Sequence, residues 1–223
     1  MTKSNFVARR RIIIPTIFAF SLGCGSLLAA PDAQKTSRID PQLRQELSSR
    51  VKQDQDARKA MIAIMQKLNI SDDAKLKAKT PVLFKRVEDI DRQNLTWMKK
   101  VVEDKGWPGK SLVGKSGAHD AWLLVQHADQ DRPFQKKCLE LMAAMLPNGE
   151  VDKTDYAYLV DRVLVGEGKK QLYGTQTKIV KGDCIPDPVE DEANLDKRRK
   201  EMGMMPMAEY LGMVRKMYLG EKK

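Results

Sequence analysis

Apolar residues recur at helical spacing along most of the chain beyond residue 40. From Leu47 to Leu68, steps of four and three residues place them on one face of a helix. A second stripe runs from Leu83 to Val101 and follows Thr80-Pro81, a pair that commonly begins a helix. Further stripes predict helices near 118–129, 134–146, 155–165, 192–202 and 206–219. The 118–129 segment is apolar on all sides, which predicts a central helix.

The helical pattern gives way to short β-prone segments between residues 166 and 188. The runs Gln171–Tyr173 and Thr177–Val180 are separated by Gly174, and Gly182 follows them. We therefore predict a small β-hairpin or irregular segment near 170–182. The expected fold is mainly α, a single helical-bundle-like domain over residues 40–220.

The chain begins with the charge pattern of a secretory signal. Basic residues precede an apolar run from Ile12 to Ala30, and the first acidic residue is Asp32. Pro15 and the small residues that end the run favour a cleaved signal peptide over a permanent membrane span. We predict an export signal over residues 1–30 and a flexible polar leader over 31–39.

Export predicts a periplasmic or extracellular location. The segment Ser21-Leu22-Gly23-Cys24 resembles a lipoprotein processing site, in which a lipidated Cys24 would begin the mature chain. Ser21 stands where such sites usually carry leucine, so lipidation is the alternative to simple cleavage. We expect membrane contact only through the signal peptide or such an anchor.

The basic character of the chain is concentrated in the signal. The whole sequence carries a net charge of +10, and residues 1–30 hold four basic and no acidic side chains, which leaves +6. The remaining lysines and arginines are mixed with acids and lack interleaved aromatics, so we expect no nucleic-acid partner. An oxidising compartment would permit a disulfide between Cys138 and Cys184. The pattern places the first in a helix and the second in a loop, and two separate thiols fit it equally well.

Several segments match phosphate- or metal-binding patterns, but their context does not favour these functions. Gly109–Ser116 matches a phosphate-loop pattern, but a helix and a Trp-Pro turn precede it where such loops follow a buried strand. The methionine group at 202–207 could bind copper(I), although methionines at a helix junction more often fill core gaps. His119 and His127 lack a second histidine or cysteine at metal-ligand spacing, so we predict no metal and no cofactor.

Polar residues interrupt the apolar stripes of three predicted helices. Asp54 and Arg58 lie four residues apart on the first helix, and Asn94 interrupts the second. The third contains Gln126-His127-Ala128-Asp129. Polar groups on a buried face must find partners or line a cavity. We hypothesise that they converge with His127 on one polar pocket; the alternative is a structural network between helices.

The ordered motifs resemble a widespread bacterial family that is catalogued as a domain of unknown function. The likeness runs from Asp54-Gln55 to Arg198-Arg199 and Tyr210 and includes Gly106-Trp107-Pro108. The resemblance implies no particular activity, substrate or cofactor. The polar positions that match the family pattern are Gln126, His127, Asp129, Arg162, Gln171, Tyr173, Gly174, Thr175 and Gln176.

Two hypotheses for function follow. In the first, the protein holds a polar ligand or an envelope protein through Asp54, Arg58, Asn94, Gln126, Arg162, Gln171, Tyr173, Thr175, Gln176 and Arg198. In the second, it is a hydrolase or lyase. His127 is then the general acid or base, Asp129 or Asp54 orients it, and Arg162 or Arg198 stabilises negative charge. No serine or cysteine is clearly paired with the histidine by sequence, which counts against the enzyme.

Overall fold

The computed structural model describes residues 39–68, 70, 73–180 and 183–220. The predicted export signal, Cys24 and all of the predicted leader except Ile39 lie outside the described residues. Within the described ranges, no helix is both long enough and apolar enough to cross a membrane.

The described chain is mainly helical, with one small hairpin, and this confirms the predicted fold class. In chain order its elements are α1 (Pro41–Leu68), α2 (Asp73–Lys79), α3 (Pro81–Lys105), α4 (Lys110–Gln126), α5 (Arg132–Met145), α6 (Lys153–Gly166), β1 (Thr177–Val180), β2 (Asp183–Pro186), α7 (Leu195–Glu201) and α8 (Met207–Leu219). Short 3-10 turns follow α5 and precede α7.

Helix α4 is central, as its apolar residues on all sides predict. It packs against α1, α3, α5 and α6, and its residues from Ala121 to Gln126 are all buried. Trp122 lies at the centre of this core, edge-on to Tyr158 of α6. Helix α1 also packs along α3, so residues that face inward from α1, α3 and α4 meet in the interior.

Both predicted ends of α4 are wrong. The predicted range was 118–129, but the helix begins at Lys110 and contains a local kink at Gly114 (φ 74°, ψ 171°). Glycine adopts a positive φ without steric strain, so helical turns can form both before and after Gly114. Helix α4 ends at Gln126, so Asp129 lies in the turn before α5. The short helix α2 was not predicted.

The hairpin lies slightly beyond the predicted range. β1 pairs antiparallel with β2, from Thr177 opposite Pro186 to Val180 opposite Asp183. The predicted run Gln171–Tyr173 does not join it, and Gln171 instead forms an isolated parallel bridge with Val189. Cys184 lies in β2 and not in the expected loop.

The two cysteines of the described chain are separate thiols. Cys138 of α5 and Cys184 of β2 are both buried and free, so they do not form the disulfide that the sequence permitted. Burial raises the pKa of Cys138 to about 12, which keeps it a neutral, unreactive thiol.

Candidate functional site

A buried carboxylate organises the irregular segment between α6 and the hairpin. Asp161 of α6 accepts hydrogen bonds from the backbone N–H groups of Leu172 (2.7 Å), Tyr173 (3.0 Å) and Thr175 (2.9 Å). It also accepts one from the hydroxyl of Thr175 (2.9 Å). Burial raises the pKa of Asp161, and these donors act against that rise. We call Asp161 together with residues 171–176 the Asp161 clasp.

Gln171 closes the clasp with its side-chain amide. Its Nε2 donates to the carbonyl oxygens of Gln176 (2.9 Å) and Asp187 (2.7 Å), and its Oε1 accepts from the backbone N–H of Gln176 (2.8 Å). Tyr210 of α8 adds a hydrogen bond from its hydroxyl to the carbonyl oxygen of Thr175 (2.7 Å). The side-chain amide of Gln171 is thus satisfied at both Nε2 and Oε1.

Two arginines of α7 donate hydrogen bonds to backbone carbonyl groups of the clasp. Arg198 Nε donates to the carbonyl oxygen of Leu172 at 3.0 Å, and Arg199 Nη1 donates to that of Tyr173. Arg199 Nη2 has no partner among the described residues. Gly174 has φ +70°, and a Cβ there would lie 2.9 Å from the sulfur of Met207. The clasp therefore needs glycine at this position.

A second polar group lies where α1, α3 and the end of α4 meet. The Nδ1 atom of His127 lies 3.0 Å from Asp54 Oδ2, and Arg58 Nε donates to Asp54 Oδ1 at 3.0 Å. Arg58 Nη2 donates to Asp91 of α3. The side chains of His127, Asp54 and Arg58 are at most 4% exposed and that of Asp91 is 17% exposed. We call these four residues the His127 cluster.

The charges of the His127 cluster are mutually dependent. Burial opposes ionisation of Asp54, but His127 and Arg58 hold its pKa well below the usual range. Burial raises the pKa of Asp91, which Arg58 partly offsets. One guanidinium therefore serves two carboxylates.

An arginine and its carboxylate partner adjoin the His127 cluster. Arg162 of α6 donates to Asp129 from Nε (3.0 Å) and Nη2 (2.6 Å), and to Gln176 Oε1 from Nη1 (3.1 Å). Burial lowers the pKa of Arg162, and the nearby positive charge of Arg58 contributes to the decrease. Asp129 thus pairs with Arg162, and Asp54 is the carboxylate that contacts His127.

Several buried polar atoms in this region lack hydrogen-bond partners within the described chain. They are His127 Nε2, both side-chain atoms of Gln126 and, one turn after Asp91, Asn94 Nδ2. His119 of α4 contacts Asp155 of α6, and Trp122 contacts Tyr158, so the two helices run parallel with a constant offset in sequence. The same offset pairs Gln126 with Arg162. Arg50 Nε, beside Asn94, and the more distant Trp107 Nε1 and Arg215 Nε are also without partners.

The structure divides the sequence-predicted site residues between these regions. Asp54, Arg58 and His127 converge in one cluster. Asp129 and Gln176 both bind Arg162, and Gln126 precedes His127 at the end of α4. Asn94 lies one turn after Asp91 on α3 and accepts a hydrogen bond from Arg50. Gln171, Tyr173, Thr175 and Arg198 belong to the clasp or bind it.

Sequence reasoning missed Asp91 and Asp161. Asp91 is four residues after the buried Val87 and three before Asn94, so helical spacing on α3 could have found it. Asp161 interrupts the apolar run of α6 between Val160 and Val163, which could have singled it out, but sequence could not show its partners, because they are mainly backbone N–H groups of a loop. Met204 and Met207 pack against the core, the role favoured for the methionine group.

Comparison with known proteins identifies the family. Residues 41–223 match the family described as "Family of unknown function (DUF6624)", which spans most of the chain, so the protein belongs to this family. The resemblance to a domain of unknown function is thereby confirmed. No curated protein and no solved structure matches the chain.

Proposed function

We propose that this domain binds a small, neutral, polar molecule beside the His127 cluster. The observation that carries the proposal is that Gln126 and His127 Nε2 are buried without hydrogen-bond partners in the described chain. A buried polar atom left unpaired costs about 1–3 kcal/mol, so such atoms are normally satisfied. A ligand with its own donor and acceptor groups would supply the missing partners.

The charges favour a neutral ligand over an ion. Arg58 and Arg162 already bind carboxylates, and Arg132 lies 3.4 Å from Asp129. The positive charges of these three arginines equal the negative charges of Asp54, Asp91 and Asp129. An anion or a cation that enters without displacing one of these charged groups would leave an uncompensated charge in the interior, which is costly. Hydroxyl and amide compounds avoid that cost.

The test uses compounds that differ in charge. We expect acetamide and N-acetylglucosamine to shift the NMR signals of the His127 ring and the Gln126 side-chain amide. Acetate and methylammonium should produce no such shifts. Gln126→Met should weaken binding more than about tenfold, because it removes both unpaired atoms. Gln53→Met, on the exposed face of α1, is the control. Equal responses to all four compounds, or none, would contradict the proposal.

We also propose that the protein acts outside the cytoplasm, in the periplasm or extracellular space. The support is the basic and apolar pattern of residues 1–30. Mass spectrometry of the N-terminus of protein recovered from fractionated cells tests this. A chain that begins near residue 31 supports signal cleavage, and a lipid mass on Cys24 supports the anchor. Intact Met1 in the cytoplasm would contradict both.

Acid–base catalysis is the second candidate, and a different observation favours it. Asp54 contacts Nδ1 of His127 and leaves Nε2 available, which is how a carboxylate orients a histidine general base. Among the described residues, no serine or cysteine contacts Nε2, so a hydrolase here would activate water and a lyase would remove a substrate proton.

The catalytic hypothesis requires a turnover assay. Chromogenic esters and glycosides are suitable first substrates for a hydrolase. Asp54→Asn should lower kcat more than about a hundredfold with little change in KM, because the wrong imidazole tautomer is then favoured. The exposed Asp56→Asn is the control. Activity that survives in Asp54→Asn would exclude His127 as an oriented base.

A further inference from the structure

Three possible metal ligands meet in the His127 cluster, although they are far apart in sequence. Asp54, Asp91 and His127 each offer a ligand atom, and these atoms all lie within 4.8 Å of one another. They come from α1, α3 and the turn at the end of α4. The packing of these helices, rather than local sequence spacing, brings the ligands together. This explains why the spacing of the histidines predicted no metal.

The donor set suits a divalent transition metal. Zinc binds histidine nitrogen and carboxylate oxygen at about 2.0–2.2 Å, which separates neighbouring tetrahedral ligands by about 3.3 Å. The distance between His127 Nδ1 and Asp54 Oδ2 is 3.0 Å, already close to that separation. Mg²⁺ and Ca²⁺ prefer sites made entirely of oxygen and are expected to bind more weakly.

A positive charge already occupies the space between the carboxylates. Arg58 bonds to both Asp54 and Asp91, so this location stabilises a cation in the interior. A second observation is independent of the acidic pair: the His127 ring is buried, 2% exposed, and its Nδ1 already lies 3.0 Å from Asp54 Oδ2. The ring is therefore held with one ligand nitrogen facing the carboxylates.

We propose that Asp54, Asp91 and Nδ1 of His127 bind a divalent transition metal ion in exchange for Arg58. The metal and the guanidinium compete for the same two carboxylates, and the arginine turns aside when the ion enters. Three protein ligands leave a fourth position open for water or a small molecule. The ion replaces the hydrogen bond between His127 and Asp54, and the imidazole proton moves from Nδ1 to Nε2, so that this neutral ring releases no net proton.

This site extends the polar-ligand proposal and does not depend on it. With the metal on Nδ1, the imidazole proton lies on Nε2, which then donates a hydrogen bond. Without the metal, Asp54 accepts from Nδ1, and Nε2 accepts. The two forms therefore prefer ligands of opposite hydrogen-bonding character. A metal-loaded His127 cannot serve as the general base.

Competition with Arg58 gives the decisive test. Zn²⁺ binding to EDTA-treated, dialysed protein is measured by isothermal titration calorimetry. Asp91→Asn should weaken affinity by more than about tenfold, since even outer partners of metal sites change affinity by about 10- to 100-fold. Arg58→Gln should strengthen affinity by about tenfold or more, because the competing cation is gone. Asp56→Asn, exposed on α1, is the control and should not change it.

A folding control separates loss of ligands from loss of structure. Arg58→Gln leaves the buried Asp54 and the partly buried Asp91 without their cation, so its Tm should decrease in EDTA and recover with Zn²⁺ more than the wild-type Tm rises. Co²⁺ should give visible absorption that disappears in His127→Gln. The proposal is overturned if Arg58→Gln weakens Zn²⁺ binding, or if Asp91→Asn binds like Asp56→Asn. Acetamide titrations in EDTA test the polar-ligand proposal separately.

Discussion

Two buried glutamines show the difference between a structural network and a candidate binding site. The amide of Gln171 makes three hydrogen bonds and ties the clasp to the backbone of Gln176 and Asp187. The amide of Gln126 is equally buried, yet neither of its polar atoms has a partner within the described chain. The same side chain is therefore a structural tie in one region and an unsatisfied group in the other.

The same contrast holds between the carboxylate of Asp161 and the imidazole of His127. Asp161 accepts hydrogen bonds from three backbone N–H groups and a hydroxyl, so the clasp is a closed network. His127 is fixed by Asp54 on one side and has an unpartnered nitrogen on the other. Unsatisfied buried groups cost stability, and function is one reason to retain them. The two regions thus differ less in the types of their residues than in whether the polar atoms of these residues have hydrogen-bond partners.

The largest expected effect is on the clasp. Asp161→Asn should lower the free energy of unfolding by about 4 kcal/mol, because a buried carboxylate with several donors is replaced by an amide that cannot accept them all. Urea denaturation measures this. Asp56→Asn removes an exposed ion pair and should cost less than about 1 kcal/mol. Similar costs for both variants would show that the clasp contributes little to stability.

The next prediction compares one substitution in the two regions. Gln171→Met should destabilise the protein by about 3 kcal/mol, since it leaves backbone groups of the clasp unpaired. Gln126→Met should stabilise the ligand-free protein by about 1 kcal/mol, because it removes buried atoms without partners. Urea denaturation of both variants in the same buffer gives the signs. If both variants are destabilised equally, Gln126 is part of a structural network and the contrast fails.

A smaller effect is expected where α8 meets the clasp. Tyr210→Phe should cost about 2 kcal/mol, because it removes the hydroxyl that donates to the carbonyl oxygen of Thr175 and hydrogen-bonds Tyr158, and leaves the ring in place. Thermal denaturation measures the change. Tyr156→Phe, at a partly buried tyrosine of α6, is the matched control. A loss no greater than in this control would remove Tyr210 from the clasp.

The smallest effect concerns pH and the second histidine. His119 Nδ1 lies 3.0 Å from Asp155; burial lowers the pKa of His119, but Asp155, Asp120 and Asp152 raise it more, so it lies above 6.5. This stabilisation is complete below pH 6.5 and is lost as pH rises through the raised pKa. The stability advantage of wild type over His119→Gln should therefore be greater at pH 6 than at pH 9, by less than about 1 kcal/mol. An advantage that is constant with pH would contradict the pairing.

The fold and part of the site could be predicted because helical periodicity is visible in sequence. Asp54, Arg58 and His127 interrupt apolar stripes, and the helices that carry them meet in the interior. Asp129 was harder to place. The apolar pattern suggested that α4 continues to this residue, whereas the helix ends at Gln126 and directs Asp129 to Arg162.

The clasp could not be read from the sequence for a physical reason. Gln171, Tyr173 and Thr175 were expected to bind a ligand because they are among the polar positions that match the pattern of the resembled family. Their partners include backbone N–H and C=O groups, and sequence does not show which of these groups a loop brings together. The β-prone residues Gln171–Tyr173 were likewise predicted to form a strand. In the structure, the backbone N–H groups of Leu172 and Tyr173 donate to Asp161, and this segment does not join the hairpin.

The binding proposal is tested most directly by an atomic-resolution crystal structure of the protein purified without chelator from its native cells. We expect a small molecule, other than water, within hydrogen-bonding distance of His127 Nε2 and the side-chain amide of Gln126. Electron density for water alone, or rotation of both side chains onto protein partners, would contradict it. In that case the His127 cluster would be a structural network like the Asp161 clasp.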